Sequence, residues 1–311
     1  MNRQNNRHAS RPRTTILSIA LVAAVLGVQS SAAAQAAADV KPAAAAPPVS
    51  ASSSPQSLAN QVNNPTAPLT TVQLRDIYAP TASLPYTRNI FQIQPVTPIG
   101  PYAWLPFVQL MKITMPFVET TPGADGQTGT GDLTLFDLVT IKQSWGRLGV
   151  GPYLVVPTAT GNTLGAGKVQ LGPSVGLIYT GIENLVAGAV LQNPISFAGQ
   201  KSRPTVNQLI VSPTLTYNLP EGWFAGLTDY SWTFNWRARG SDVPLVPLGL
   251  QIGRVVRIGN QPVSLSVEVA RAAWKPENGP DPGWIIGFEI TPIFNFHIGP
   301  HQKIPLRRDA E

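Results

Sequence analysis

The stretch PTATGNTLGAGKVQLG, Pro157 to Gly172, comes close to a phosphate-binding loop. Such a loop needs G-x-x-x-x-G-K-[ST], so that backbone N–H groups wrap the phosphates and a hydroxyl reaches the magnesium ion. Here Gly161 and Gly167 enclose five residues, Lys168 follows, and Val169 stands where the hydroxyl is needed. The flanking pattern makes Lys168 the start of a strand, so no helix N-terminus is there to receive a phosphate. The glycines read as turn formers. The only histidines are His8, His297 and His301, and Pro300 separates the last two. With no cysteine anywhere and no histidine in a strand, a His-based triad and a His/Cys metal site within the strands are excluded. The carboxylates Asp229, Glu268 and Glu289 could do acid–base work, but each falls on the polar face of a strand. The plainer expectation is a wet interior lined by Lys112, Gln208, Thr214, Asp229, Ser266, Glu268 and Glu289, with no catalytic residue, cofactor or metal.

The elements that position these residues have a two-residue period. In KVQLGPSVGLIYT, Val169, Leu171, Val175, Leu177 and Tyr179 oppose Gln170, Gly172, Ser174 and Gly176. In NQLIVSPTLTYNL, Leu209, Val211, Leu215 and Tyr217 oppose Gln208, Ser212, Thr214 and Thr216. Such alternation marks strands with one apolar and one polar face, and no segment of helical period competes with it. Eleven runs follow one another, near 88–98, 104–117, 131–142, 147–157, 168–181, 184–196, 206–219, 222–236, 244–258, 261–274 and 283–296. Short connections (GPYA, QSWG, GIE, PE, GN) alternate with longer polar ones at 118–130, 158–167, 197–205, 237–243 and 275–282. Long strands joined in this way fit an outer-membrane barrel, with short periplasmic turns and long external loops. Trp104, Trp145, Trp223, Trp232, Trp236, Trp274 and Trp284 lie mostly near strand ends, as interfacial girdles do. Pro95, Pro106, Pro152, Pro173, Pro213 and Pro292 fall inside the runs, where each removes a ladder hydrogen bond.

Turn alternation alone makes a further demand. Both the first and the last of the eleven strands run from the long-loop side to the short-turn side. The chain before the first strand would then start on the wrong side, and single-chain barrels use an even number of strands. A twelfth strand is therefore expected between Leu69 and Ala79, in LTTVQLRDIYA, closing the ring against the last one. The fold class expected is all-β, an antiparallel transmembrane β-barrel of about 12 strands preceded by a disordered Ala/Pro-rich segment.

The first 36 residues look like an export signal. Arg3, Arg7, Arg11 and Arg13 precede the apolar run Ile16–Val28, and Ala34 and Ala36 form an A-x-A site. Thirteen apolar residues fall short of the ~20 that a membrane-spanning helix takes. Removing this segment lowers the formal charge of +6 to a small excess of 18 basic over 16 acidic residues, which is no footprint for nucleic acid. Residues 37–68 are Ala-, Pro- and Ser-rich, too poor in apolar groups to offset ordering entropy, and read as a disordered tether. The barrel is expected over 69–296 and a polar tail over 297–311.

Several segments together resemble a known exported bacterial family: FQIQPVTPI, GVGPYLVVPTAT…LGAGKVQLGPSVGLIY, GAVLQNPISFAG, VNQLIVSPTLTYNLPEGW and PLGLQIGRVVRIGNQPVSLSVE. That family is labelled transporter or MetA-pathway of phenol degradation, sometimes neuromedin U. The similarity runs from about Leu84 to Phe296 and implies an outer-membrane barrel with a role in aromatic-compound pathways. It implies no catalytic residues. One departure is that Phe296, an aromatic of the kind on which many such barrels end, is followed here by fifteen residues.

A passive channel or transporter for small, aromatic or hydrophobic, solutes is one reading. A non-conducting structural or adhesion barrel and a soluble exported β-sandwich are the others. The partners expected are outer-membrane lipid, an unidentified solute and the barrel-insertion machinery, with no nucleic acid.

Overall fold

The computed structural model describes residues 55–80, 87–120, 127–277, 282–294 and 298. The expected signal, most of the tether, and the tail with His297 and His301, apart from Ile298, lie outside the described residues. The strands are β1 (Thr70–Pro80), β2 (Thr87–Ile99), β3 (Val108–Thr120), β4 (Thr128–Thr130), β5 (Leu133–Gln143), β6 (Gly146–Val156) and β7 (Lys168–Tyr179). They continue as β8 (Leu185–Gln192), β9 (Ile195–Gly199), β10 (Gln208–Asn218), β11 (Trp223–Leu227), β12 (Trp232–Asn235), β13 (Pro244–Ile258), β14 (Gln261–Trp274) and β15 (Trp284–Phe294).

All strand ladders are antiparallel, and β15 returns to β1. β8 and β9 are two halves of one stave, β11 and β12 two halves of another, and β4 is a short addition to β3. The ring is therefore a closed barrel of twelve staves. Closure leaves no sandwich and no long free edge. The twelfth strand lies where turn alternation demands it: β1 runs Thr70↔Phe294 to Tyr78↔Ile286 against β15. A chain starting at residue 69 behind an export signal should fold as a heat-modifiable barrel. One starting at residue 81 loses β1 and both of its ladders, and should not.

Exposure follows the alternation. On the outer surface Leu171, Val175, Leu177, Leu215, Tyr217, Val267, Val269, Ile286 and Phe288 are all exposed. The residues between them, among them Ser174, Thr216, Ser266 and Thr291, are buried inside. An apolar belt around a polar interior inverts the usual soluble fold and suits a lipid surround.

The strand prolines have a common physical reason. Register breaks between Ile93↔Met115 and Val96↔Lys112 leave Pro95 opposite an interruption. Pro152 and Pro292 face like gaps, in the β5–β6 and β1–β15 ladders. Pro173 lies beside the gap between β8 and β9, and Pro213 beside that between β11 and β12. Each missing N–H thus falls where the neighbouring strand offers no regular partner. Pro106 lies outside the strands, just before β3. The near-phosphate loop ends at Gly167, whose φ of +65° suits glycine, and Lys168 opens β7 as a buried residue.

Two elements differ from the expected layout. The long connection before β5 holds β4, paired with the end of β3. Within the expected tether, the described part holds an α-helix, α1 (Pro55–Val62). Beyond the last strand, Ile298 adds a single parallel bridge to Ile99.

Candidate functional site: the barrel lumen

Isolated helices shorter than about 12–15 residues are marginal in water, so eight residues need a partner surface. For α1 it is the inside of the barrel at the short-turn end. Leu58 and Ala59 are buried against Phe224, Val255 and Ile293, with Val62 and Leu69 packed beside them. Phe224 follows the β10–β11 turn, and Val255 and Ile293 lie near the ends of β13 and β15, which fixes the height of the helix. Asn63 Nδ2 donates to Asn218 Oδ1 at 2.6 Å, and Asn64 Oδ1 accepts from both the N–H and the hydroxyl of the fully buried Thr66. The segment from α1 to β1 thus occupies the short-turn mouth.

One layer deeper lies a charged cluster. Arg75, on the inner face of β1, is 7% exposed, and one terminal nitrogen (Nη2) bonds both Asp229 and Glu268, the latter at 2.5 Å. Its Nε lies 3.9 Å from Glu289, and its guanidinium stands 4.8 Å over the Tyr230 ring. Glu268 is 2% exposed and Glu289 16%, whereas Asp229 is 45% exposed. Lys112 Nζ donates to Gln73 Oε1 at 3.0 Å. Asp229 and Tyr230 come from the interruption between β11 and β12, where the irregular backbone lets two consecutive residues reach inward. Gly287 on β15 makes room for them, because a Cβ there would collide with the Tyr230 hydroxyl. Beyond the cluster, toward the long loops, Ile77, Tyr230, Ala270 and Ile285 pack together with Ala79 and Ile90.

The opposite side of the lumen is open. A cavity of about 440 Å³ runs from Gln61 and Pro65 at the helix, past Lys112 and Phe136, to Asp132 beside the long loops. A second, of about 110 Å³, lies between α1 and the carboxylates. Asp229, Gln73 and Thr214 border both.

No family model matches the chain, and no curated protein does. Solved structures do match, among them the crystal structure of an outer membrane channel from Pseudomonas putida F1. The two are 15% identical, with a TM-score of 0.52 over 73% of this chain and 95% of that one. The likeness is one of fold.

Of the residues singled out from sequence, Lys112, Thr214 and Asp229 line the larger cavity. Thr214, Asp229, Ser266, Glu268 and Glu289 line the smaller, and Gln208, at the long-loop end of β10, lines neither. The pattern did not single out Arg75. Its signal was the parity it shares with Gln73 in the weakest of the twelve strands. α1 was missed because its apolar residues are few and their partners lie in distant strands.

Proposed function

We propose that this chain is an outer-membrane channel for small solutes. The observation that carries the reading is the 440 Å³ cavity within a closed barrel whose outer surface is apolar. The similarity to an outer membrane channel supports it. The solute class we infer is small aromatic or otherwise amphipathic molecules, in keeping with the resemblance to the phenol-degradation family. Phe136, Tyr153, Leu110 and Val190 face the cavity together with Gln92 and Gln94, so an aromatic ring and its polar substituent both find partners. Export with cleavage near Ala36 and insertion by the barrel-insertion machinery belong to the same proposal.

Planar-bilayer recording of the refolded protein tests it. Ion conductance is expected, reduced by a phenolic solute and not by a sugar of similar mass. Asp229→Asn should shift ion selectivity clearly more than Glu268→Gln, because only the first carboxylate is open to lumen water. An unchanged selectivity in Asp229→Asn would remove Asp229 from the ion path. Absence of conductance would favour the structural alternative, for which the filled short-turn mouth is the supporting observation.

A further inference from the structure

The exposed basic residues at the long-loop rim are gathered in one sector, Arg88 at the start of β2 being only partly exposed. Lys201 lies in the β9–β10 connection, Arg237 and Arg239 in the β12–β13 connection, and Arg271 near the end of β14; all four are exposed. Among the described residues none of the four enters an ion pair. Arg203, in the same sector, instead donates to the Gly165 carbonyl at 2.5 Å and ties two loops together. The sector's described acidic residues are Asp242 and Glu277, and Glu277 accepts a hydrogen bond from Ser241 at 2.7 Å. The neighbouring described connections 127–132 and 157–167 hold no lysine or arginine.

The same sector carries an exposed aromatic row, with Phe197 68%, Trp236 51%, Trp274 59% and Trp284 54% exposed. Arg271 stands 5.7 Å from the Trp284 ring, which holds a guanidinium at the height of that row. Aromatic rings mark the boundary between hydrocarbon and headgroups, so cations at and just beyond them lie where lipid phosphates lie. Arginine pairs with phosphate through two parallel N–H bonds, which suits three of these four positions.

We propose that the long-loop rim from β9 to β15 docks the phosphorylated headgroups of the lipid leaflet around it, as a one-sided site for a phosphate-bearing lipid A. This rests on the outer-membrane reading for which leaflet the long loops meet. The site is an exterior one, separate from the lumen.

The test titrates the purified barrel in detergent with lipopolysaccharide, and with the same lipopolysaccharide after dephosphorylation. The combined variant Lys201→Gln, Arg237→Gln, Arg239→Gln, Arg271→Gln should bind the phosphorylated form at least about tenfold more weakly at low salt, each cation near an anionic surface being worth roughly a factor of five. Arg254→Gln with Arg257→Gln, near the short-turn end, should bind like wild type. Dephosphorylation and added salt should each weaken wild-type binding. The proposal is overturned if the fourfold variant binds like wild type, if the short-turn variant loses as much, or if dephosphorylated lipid binds equally well. Heat-modifiable migration is read on every variant, so failure of the barrel reading appears there and not in the binding curve. Should the fourfold variant not fold, Arg237→Gln and Arg239→Gln taken singly carry the same comparison.

Discussion

Replacing Leu58 with aspartate should raise single-channel conductance several-fold while leaving the barrel itself folded. Leu58 is 4% exposed and packs with Ala59 against Phe224, Val255 and Ile293. Burying a leucine is worth about 1.5–3 kcal/mol. An unpaired carboxylate in the same place costs several kcal/mol, more than the seat of one short helix supplies. Away from its seat an eight-residue helix does not persist. Because Gln61, Val62 and Pro65 form walls of the cavities, their departure would join the 440 and 110 Å³ spaces and clear the short-turn mouth. A chain lacking residues 37–66 should match the substitution. If both conduct no better than wild type while remaining heat-modifiable, the solute path does not run through that mouth.

Arg75→Met should destabilise the barrel by about 3–5 kcal/mol, the usual cost of removing one partner from a buried ion pair. Its guanidinium is the counter-charge shared by Asp229, Glu268 and Glu289, and Glu268 has almost no access to water. Urea unfolding from lipid vesicles measures the loss. Adding Glu268→Gln to Arg75→Met should recover part of it, since one of the uncompensated charges is then gone. A double-mutant cycle over the pair gives the coupling. Arg75→Lys should rescue only in part: one ammonium can donate to both Asp229 and Glu268, as Nη2 does, but it gives up the Nε approach to Glu289 and the guanidinium over the Tyr230 ring. Strictly additive effects in the cycle would mean that the pair does not hold the staves together.

Side-chain period, turn length and parity are local properties, and they were legible. Strand faces such as Leu215 and Tyr217 against Thr216 follow from alternation within one segment. The existence of β1 followed from counting directions, even though Arg75 and Asp76 blur its pattern. Contacts across the lumen were not legible. Arg75 and Glu268 are 193 residues apart, and they meet because closure of β1 on β15 sets a register that no segment carries alone. The inward turn of Asp229 and Tyr230 arises from an interruption in a stave, which parity arguments assume away. Proline positions could be read, but the gaps that accommodate them belong to pairs of strands. α1 is the clearest case: its residues form too short a helix to stand by itself, and only the lumen wall built by strands more than 150 residues later supplies the surface that orders it.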